Sequence, residues 1–377
     1  MLIALTTNEQ TSDYKHRAIM LKARHKDIHP LLKAAEWLLI MVVSTAVVFV
    51  LWQVLPVNHA STGALLLFQA LQAIGLFIVP PFVVAYLWSD WPLEWLHIVD
   101  SRKSKTPHCA HCLWGPRTVE SRKTARQVML SIGIMLTALP LINLLVSWNE
   151  QIRLPESLSG LEQLMQQLEA QANALLQQFL TYGNGAWWVL LINLLVLAIL
   201  PAIGEELTFR GVLQQLLVSR VRQQDRTDCA LRNKSDLCLR SPHQNIAAQV
   251  LSGTPISPSE KGQGDVSQHS TLNAQLSVWV TAFIFSFIHF QFYGFIPRLL
   301  LGALLGYALL WSGNIRYSMI MHATNNALSV LLFYLGTYVW GMTQAQLDAL
   351  GTEHTWWLTL VCTPLMLAQV YAFRKGA

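Results

Sequence analysis

The stretch Pro201-Ala202-Ile203-Gly204-Glu205-Glu206-Leu207-Thr208-Phe209-Arg210 sets two adjacent carboxylates and a guanidinium directly behind the apolar run 187–200. A run of that length and polarity is membrane-grade, so the charges fall at or near hydrocarbon depth. An ionisable group there is costly, and it faces a bundle interior or a wet cavity when it serves a function. The plainer alternative is a membrane helix that ends at the interface in a solvated charge cluster. Helical spacing separates the three charges. Glu206 and Arg210 are four apart with the acid first, the favourable order for an intrahelical pair, and pairing neutralises both in a low dielectric. Glu205 is turned about 100° from Glu206 and has no local partner. Glu206 and Arg210 therefore read as structural, and Glu205 as the group available for chemistry.

Working outward, the chain has 377 residues, 53% hydrophobic and only 12% charged, with a mean hydropathy of +0.37. That composition describes a polytopic, all-α integral membrane protein rather than a large soluble domain. The net charge of +5 belongs to basic loops flanking the spans, and no basic-aromatic stripe suggests nucleic acid. Apolar stretches at 37–55, 64–88, 128–148, 187–220, 276–295, 299–311, 317–338 and 356–373 give eight candidate crossings. Basic residues crowd the N-terminal segment, the loops around Arg102–Arg126 and Arg220–Arg240, and the C-terminal Arg374-Lys375. The alternate loops are nearly free of them, which puts both termini on the cytoplasmic side. For a bacterial source the location is the plasma or inner membrane.

Two of these spans are irregular. The 299–311 stretch rises only about 20 Å as a helix, short of the roughly 30 Å hydrocarbon core. The 187–220 stretch is overlong, and Pro201 is expected to kink it just before the glutamates.

Two further apolar segments carry polar groups that match the first. Phe285 and His289 are four apart in an aromatic-rich run, and so are His322 and Asn326, which places each pair on one helix face. A lone histidine in an apolar helix is usually a packing residue. Two histidines and an unpaired carboxylate, each on its own expected membrane helix, point to a site. Counting from the cytoplasmic ends leaves His322 shallower than Glu205 and His289, a mismatch that tilt or bending has to resolve.

Taken in order, Glu205-Glu206 with Arg210, Phe285 with His289, and His322 with Asn326 resemble the signature of the type II CAAX prenyl endopeptidases and their bacterial relatives, the CPBP intramembrane proteases: Glu-Glu-x-x-x-Arg, Phe-x-x-x-His, then His-x-x-x-Asn or Asp. The resemblance covers residues 187–338. It implies an intramembrane endopeptidase acting on a membrane-associated, CAAX-type prenylated or other, protein or peptide. It further implies Glu205 as the base for water, His289 orienting that water or shuttling its proton, and His322 and Asn326 facing the oxyanion. Glu206, Arg210 and Phe285 would support the site.

Zinc on Glu205, His289 and His322 is the alternative, since two histidines and a carboxylate leave one coordination position open. The absence of His-Glu-x-x-His, and of any second-shell signature, favours a glutamate-activated water with no cofactor. A different class, a non-catalytic transporter or proton relay built on the same cluster, would show internal repeats. None is visible in the first four spans.

The remaining organisation follows from composition. Residues 1–36 are a basic cytoplasmic segment. Residues 37–186 hold the N-terminal spans, and 187–338 hold the protease-like core, interrupted by a polar insert at 223–273 expected to be mostly disordered. Residues 339–377 form a loop and the last span. His108-Cys109-Ala110-His111-Cys112 is half a zinc site, with Cys229 and Cys238 as distant thiols that would have to complete it; reduced, unpaired thiols are the plainer expectation. Cys362 reads as packing. Leu158, Leu161, Leu164, Leu168, Ala172, Leu175 and Phe179 recur at three- and four-residue steps, an amphipathic helix on the non-cytoplasmic side lying on the surface or packing on helix ends. The cavity is expected to open to the cytoplasm or laterally to lipid. Nothing in the pattern specifies an oligomeric state.

Overall fold

The computed structural model describes residues 28–99, 117–218, 260–348 and 356–377, and among these every regular element is helical. The principal helices are α1 (Pro30–Val54), α2 (Thr62–Trp88), α3 (Arg117–Asn149), α4 (Ser159–Thr181), α5 (Trp187–Val218), α6 (Glu260–Phe287), α7 (Phe295–Ser312), α8 (Ile315–Tyr334, continued by the wide turn Leu335–Val339) and α9 (Trp356–Gly376). Five stretches are long and apolar enough to cross a membrane: α1, α2, Lys123–Asn149 within α3, α5 and α7. Leu39, Val42, Val43 and Val50 of α1 are outward-facing. A row of large apolar side chains on the outside is what a lipid solvent requires. The chain is an integral, multi-pass membrane protein. α8 falls below the hydropathy of those five because Arg316, His322, Asn325 and Asn326 interrupt it.

The expected kink at Pro201 takes a specific form. α5 contains two wide, π-helical turns, Leu194–Ile199 and Leu207–Leu213, with Leu200 N–H reaching back five residues to Leu195. The extra residue spreads the backbone ahead of the proline, whose ring would otherwise strike a preceding carbonyl. α2 uses the same device, with a wide turn at Ala73–Ile78 leading into Pro80 and Pro81. Those prolines have no N–H to give, and two carbonyls of the turn are satisfied from outside: Ser44 Oγ of α1 donates to Gly75 O, and Thr208 Oγ1 of α5 donates to Phe77 O at 3.0 Å. The helices lie close enough for this because glycine stands at both contacts. A Cβ on Gly75 would come within 2.2 Å of Val48, and one on Gly204 within 2.7 Å of Phe77.

One end of the bundle is a packed core. Trp37, Trp88, Leu96, Leu207, Val212, Leu216, Leu309 and Ile315 form one cluster, and Ile134, Met135, Leu305, Met321 and Phe373 another. Both described termini lie at this end: Lys33 sits over the Trp88 ring, and Arg374 over Trp311.

Three expectations need correction. The 276–295 stretch is not one span: α6 ends at Phe287, Phe290 turns with φ 52°, and α7 starts only at Phe295. His289 therefore stands in the hairpin turn rather than in a helix. α7 is longer than the expected 299–311, at 18 residues. The polar insert does not run to 273, because residues 260–273 are helical and continue α6; an apolar helix, once nucleated, propagates into polar residues of adequate propensity. Cys109, Cys112, Cys229 and Cys238 lie outside the described residues, and Cys362 is a free, half-buried thiol.

Replacing Thr208 by valine keeps the shape and removes the donor to Phe77 O, so the variant should lose about 1–3 kcal/mol. Thermal unfolding in detergent measures it, and wild-type melting would show that the α2–α5 contact does not depend on this bond.

Candidate active site

α5, the α6–α7 hairpin and α8 converge on one buried polar cluster. Glu206 and Arg210 have no exposed side-chain surface, and Arg210 Nη1 donates to Glu206 Oε1 at 2.8 Å. The i,i+4 spacing read from sequence is thus a real pair. The other arm of the guanidinium, Nη2, donates to Gly302 O of α7 at 2.9 Å. That carbonyl is within reach because Gly302 and Gly306, four apart, let α6 approach: a Cβ on Gly302 would meet Phe285 and Ala282 at 3.2 and 3.3 Å. This is the small-residue spacing that brings apolar helices together, and it is the signal the sequence reading passed over. Gln214 makes the parallel contact one turn on, donating to Gly306 O.

Phe285 is the hub of the cluster. Its ring carries the Arg210 guanidinium 4.5 Å from its centroid, a cation–π contact. The same ring meets His289 at 5.0 Å and His322 at 5.7 Å, both edge to face. Its carbonyl is also used, because His289 Nδ1 lies 2.6 Å from Phe285 O. A carbonyl only accepts, so Nδ1 carries the proton, and the neutral ring presents Nε2 as a free lone pair.

His322 links the two acids. Its Nδ1 is 2.9 Å from Glu206 Oε1, the oxygen already held by Arg210, and its Nε2 is 3.8 Å from Glu205 Oε2. Glu206, read from sequence as a partner of Arg210 alone, also orients a site histidine. The Glu205 side chain keeps 15% of its surface while that of Glu206 keeps none, so Glu205 is the acid that faces open space. Asn326 lies one turn beyond His322, and its Oδ1 accepts from Asn325 Nδ2 at 3.3 Å. With the oxygen occupied, the amide nitrogen is left as a donor. His289 of the turn and His322 of α8 both lie against the Phe285 ring, which is where the hairpin and α8 meet.

Among the described residues no group of three or more His, Cys, Asp or Glu side chains is arranged to hold a metal ion.

Arg298, in the first turn of α7, stands beside the cluster. Its Nη2 donates to Gln291 Oε1 at 2.6 Å, its Nη1 is buried without a hydrogen-bond partner, and its charge acts on Glu205 and His289. A single arginine in the first turn of α7 has no motif, and only the hairpin geometry brings it here.

The segment that builds this cluster matches a known family. Residues 186–255 and 256–328 match the model of the Rce1-like type II CAAX prenyl endopeptidases. That is the family whose motifs the sequence resembles, and the match implies a membrane protease. No curated protein and no solved structure matches the chain.

Removing one member of the buried pair strands the other. Glu206→Ala should cost about 3–5 kcal/mol by leaving Arg210 uncompensated, and Glu206→Ala with Arg210→Met should recover much of it. The fraction of monodisperse protein after extraction, compared across the two variants, is the readout. Equal yields for wild type and Glu206→Ala would remove the pair from the account of stability.

Proposed function

We propose that this protein is an intramembrane endopeptidase that hydrolyses peptide bonds of a membrane-associated protein or peptide, prenylated CAAX-type substrates included, with water activated by Glu205. It crosses the membrane eight times with both termini cytoplasmic. The observation that carries the reading is the division of labour between adjacent acids: Glu206 Oε1 is held by both Arg210 and His322, whereas the Glu205 carboxylate is partly open, with His322 Nε2 at 3.8 Å and the charge of Arg298 acting on it.

In this mechanism a water sits between the Glu205 carboxylate and the free Nε2 of His289. Glu205 takes its proton as the oxygen attacks the carbonyl carbon, and that proton passes to the leaving amine as the C–N bond breaks. The oxyanion needs donors fixed in advance. With Nδ1–H given to Glu206, His322 offers a donor at Nε2 only when it carries a second proton, so the Asn326 amide supplies the neutral one. Arg210, held through Nη1 by Glu206 and through Nη2 by the Gly302 carbonyl, holds the framework, with Phe285 beneath it. No step is assigned to a metal.

Glu205→Gln should lower kcat by about 10²–10⁴-fold, the usual contribution of a positioned general base, while the protein remains folded in detergent. His289→Ala should behave alike. The assay is cleavage of a panel of prenylated peptides and membrane proteins, with and without a zinc chelator. Activity that survives in Glu205→Gln refutes the assignment. Activity lost to the chelator and restored by zinc moves the reaction to a metalloprotease, and proton-coupled uptake abolished by the same variants would mark a transporter.

A further inference from the structure

Hydrolysis in a membrane needs a route for water, and the two ends of the cluster differ. Toward the termini the site is closed: Leu207, Phe209, Val212, Leu305, Leu309 and Ile315 are buried in packed core, and Gln214 is spent on Gly306. Toward the other end there is a polar cleft of about 360 Å³, lined by Glu150, Arg153, Gln166, Glu169, Asn173 and Tyr293.

One wall of this cleft is α4, the amphipathic helix, and the other is the 288–294 turn that bears His289. The turn is hung from polar groups on that side. Asn149 Nδ2 donates to Phe292 O at 2.7 Å, Gln166 Nε2 to Tyr293 Oη at 3.1 Å, and Tyr293 N–H to Glu169 Oε2 at 3.3 Å. Phe287, Ile288 and Phe290 are turned outward, so the turn has an apolar face and a polar one. The same turn carries both Tyr293, which lines the cleft, and His289, which lies against Phe285 in the site, and Arg298 Nη2 donates to Gln291 between them at 2.6 Å.

We propose that water and an extended peptide segment reach Glu205 from the α4 end of the bundle, through the cleft between α4 and the 288–294 turn, and that α4 positions His289 by holding that turn. The proposal rests on Glu205 being the hydrolytic base, but its test does not need activity.

In a full-length background with the five native cysteines replaced, Glu205→Cys is placed in sealed vesicles of either orientation and exposed to a small cationic, membrane-impermeant methanethiosulfonate. Thiol reactivity follows access, and labelling should run about tenfold faster or more when the α4 side faces the reagent. A bulky maleimide first coupled at Asn173→Cys should slow it by about the same factor. Asn326→Cys is a second reporter should the first variant fold poorly. Faster labelling from the terminal side, equal labelling from both, or none from either overturns the route.

Positioning is read separately. Gln166→Ala with Glu169→Gln should lower kcat about tenfold or more at constant KM, as expected when a reacting group is displaced; an unchanged kcat, or a rise in KM alone, overturns that part. Cleavage surviving in Glu205→Gln would refute Glu205 as the base and leave the labelling result standing.

Discussion

The structure depends on the neutralisation of one buried guanidinium. Arg210 has no exposed surface, and an isolated charge at that depth costs several kcal/mol even after relaxation. Its compensation comes from three directions: Glu206 on its own helix, the Gly302 carbonyl of α7, and the face of Phe285 on α6. His322 of α8 then closes on the same Glu206 oxygen. Satisfying one charge thus fixes the mutual placement of α5, α6, α7 and α8. Of the adjacent pair, Glu205 alone keeps an open carboxylate.

Backbone satisfaction sets the second constraint. In hydrocarbon no water is present to bond a carbonyl that a proline has orphaned. The wide turn of α2 and the first of the two in α5 each precede prolines, and Ser44 and Thr208 supply two of the missing donors to α2. That exchange requires α2 and α5 to touch at Gly204, the residue immediately before Glu205. The proline-rich irregularity and the location of the acidic group are therefore one feature: the helix is widened where a neighbour must come close, and the Glu205 carboxylate is placed beside that contact.

The amphipathic α4 has a role of its own in this arrangement. Its C-terminal Phe179 packs on Leu66 and Val196, and its middle binds the α6–α7 turn through Gln166 and Glu169. A membrane-surface helix with few charges would not need these contacts. As a cap over a short hairpin it supplies the polar partners that the turn's backbone lacks in an apolar setting.

Local spacing in the sequence was enough to determine that the chain is helical and membrane-embedded, that Glu206 pairs with Arg210, that Glu205 is left over, and that Leu158–Phe179 residues form one amphipathic face. Each of these follows from neighbours three or four apart on one helix, or from the cost of charge in an apolar run. Tertiary structure alone decided the rest. The break after Phe287 depends on a hairpin held by α3 and α4, and Phe290 adopts a positive φ that its residue type does not announce. His322 reaches Glu206 from a helix more than a hundred residues away in the chain. Arg298 and the Gly302 carbonyl enter the site only because glycine spacing lets α6 and α7 close together. Periodicity records which residues share a helix face, and it carries no record of which face of another helix will satisfy a buried charge.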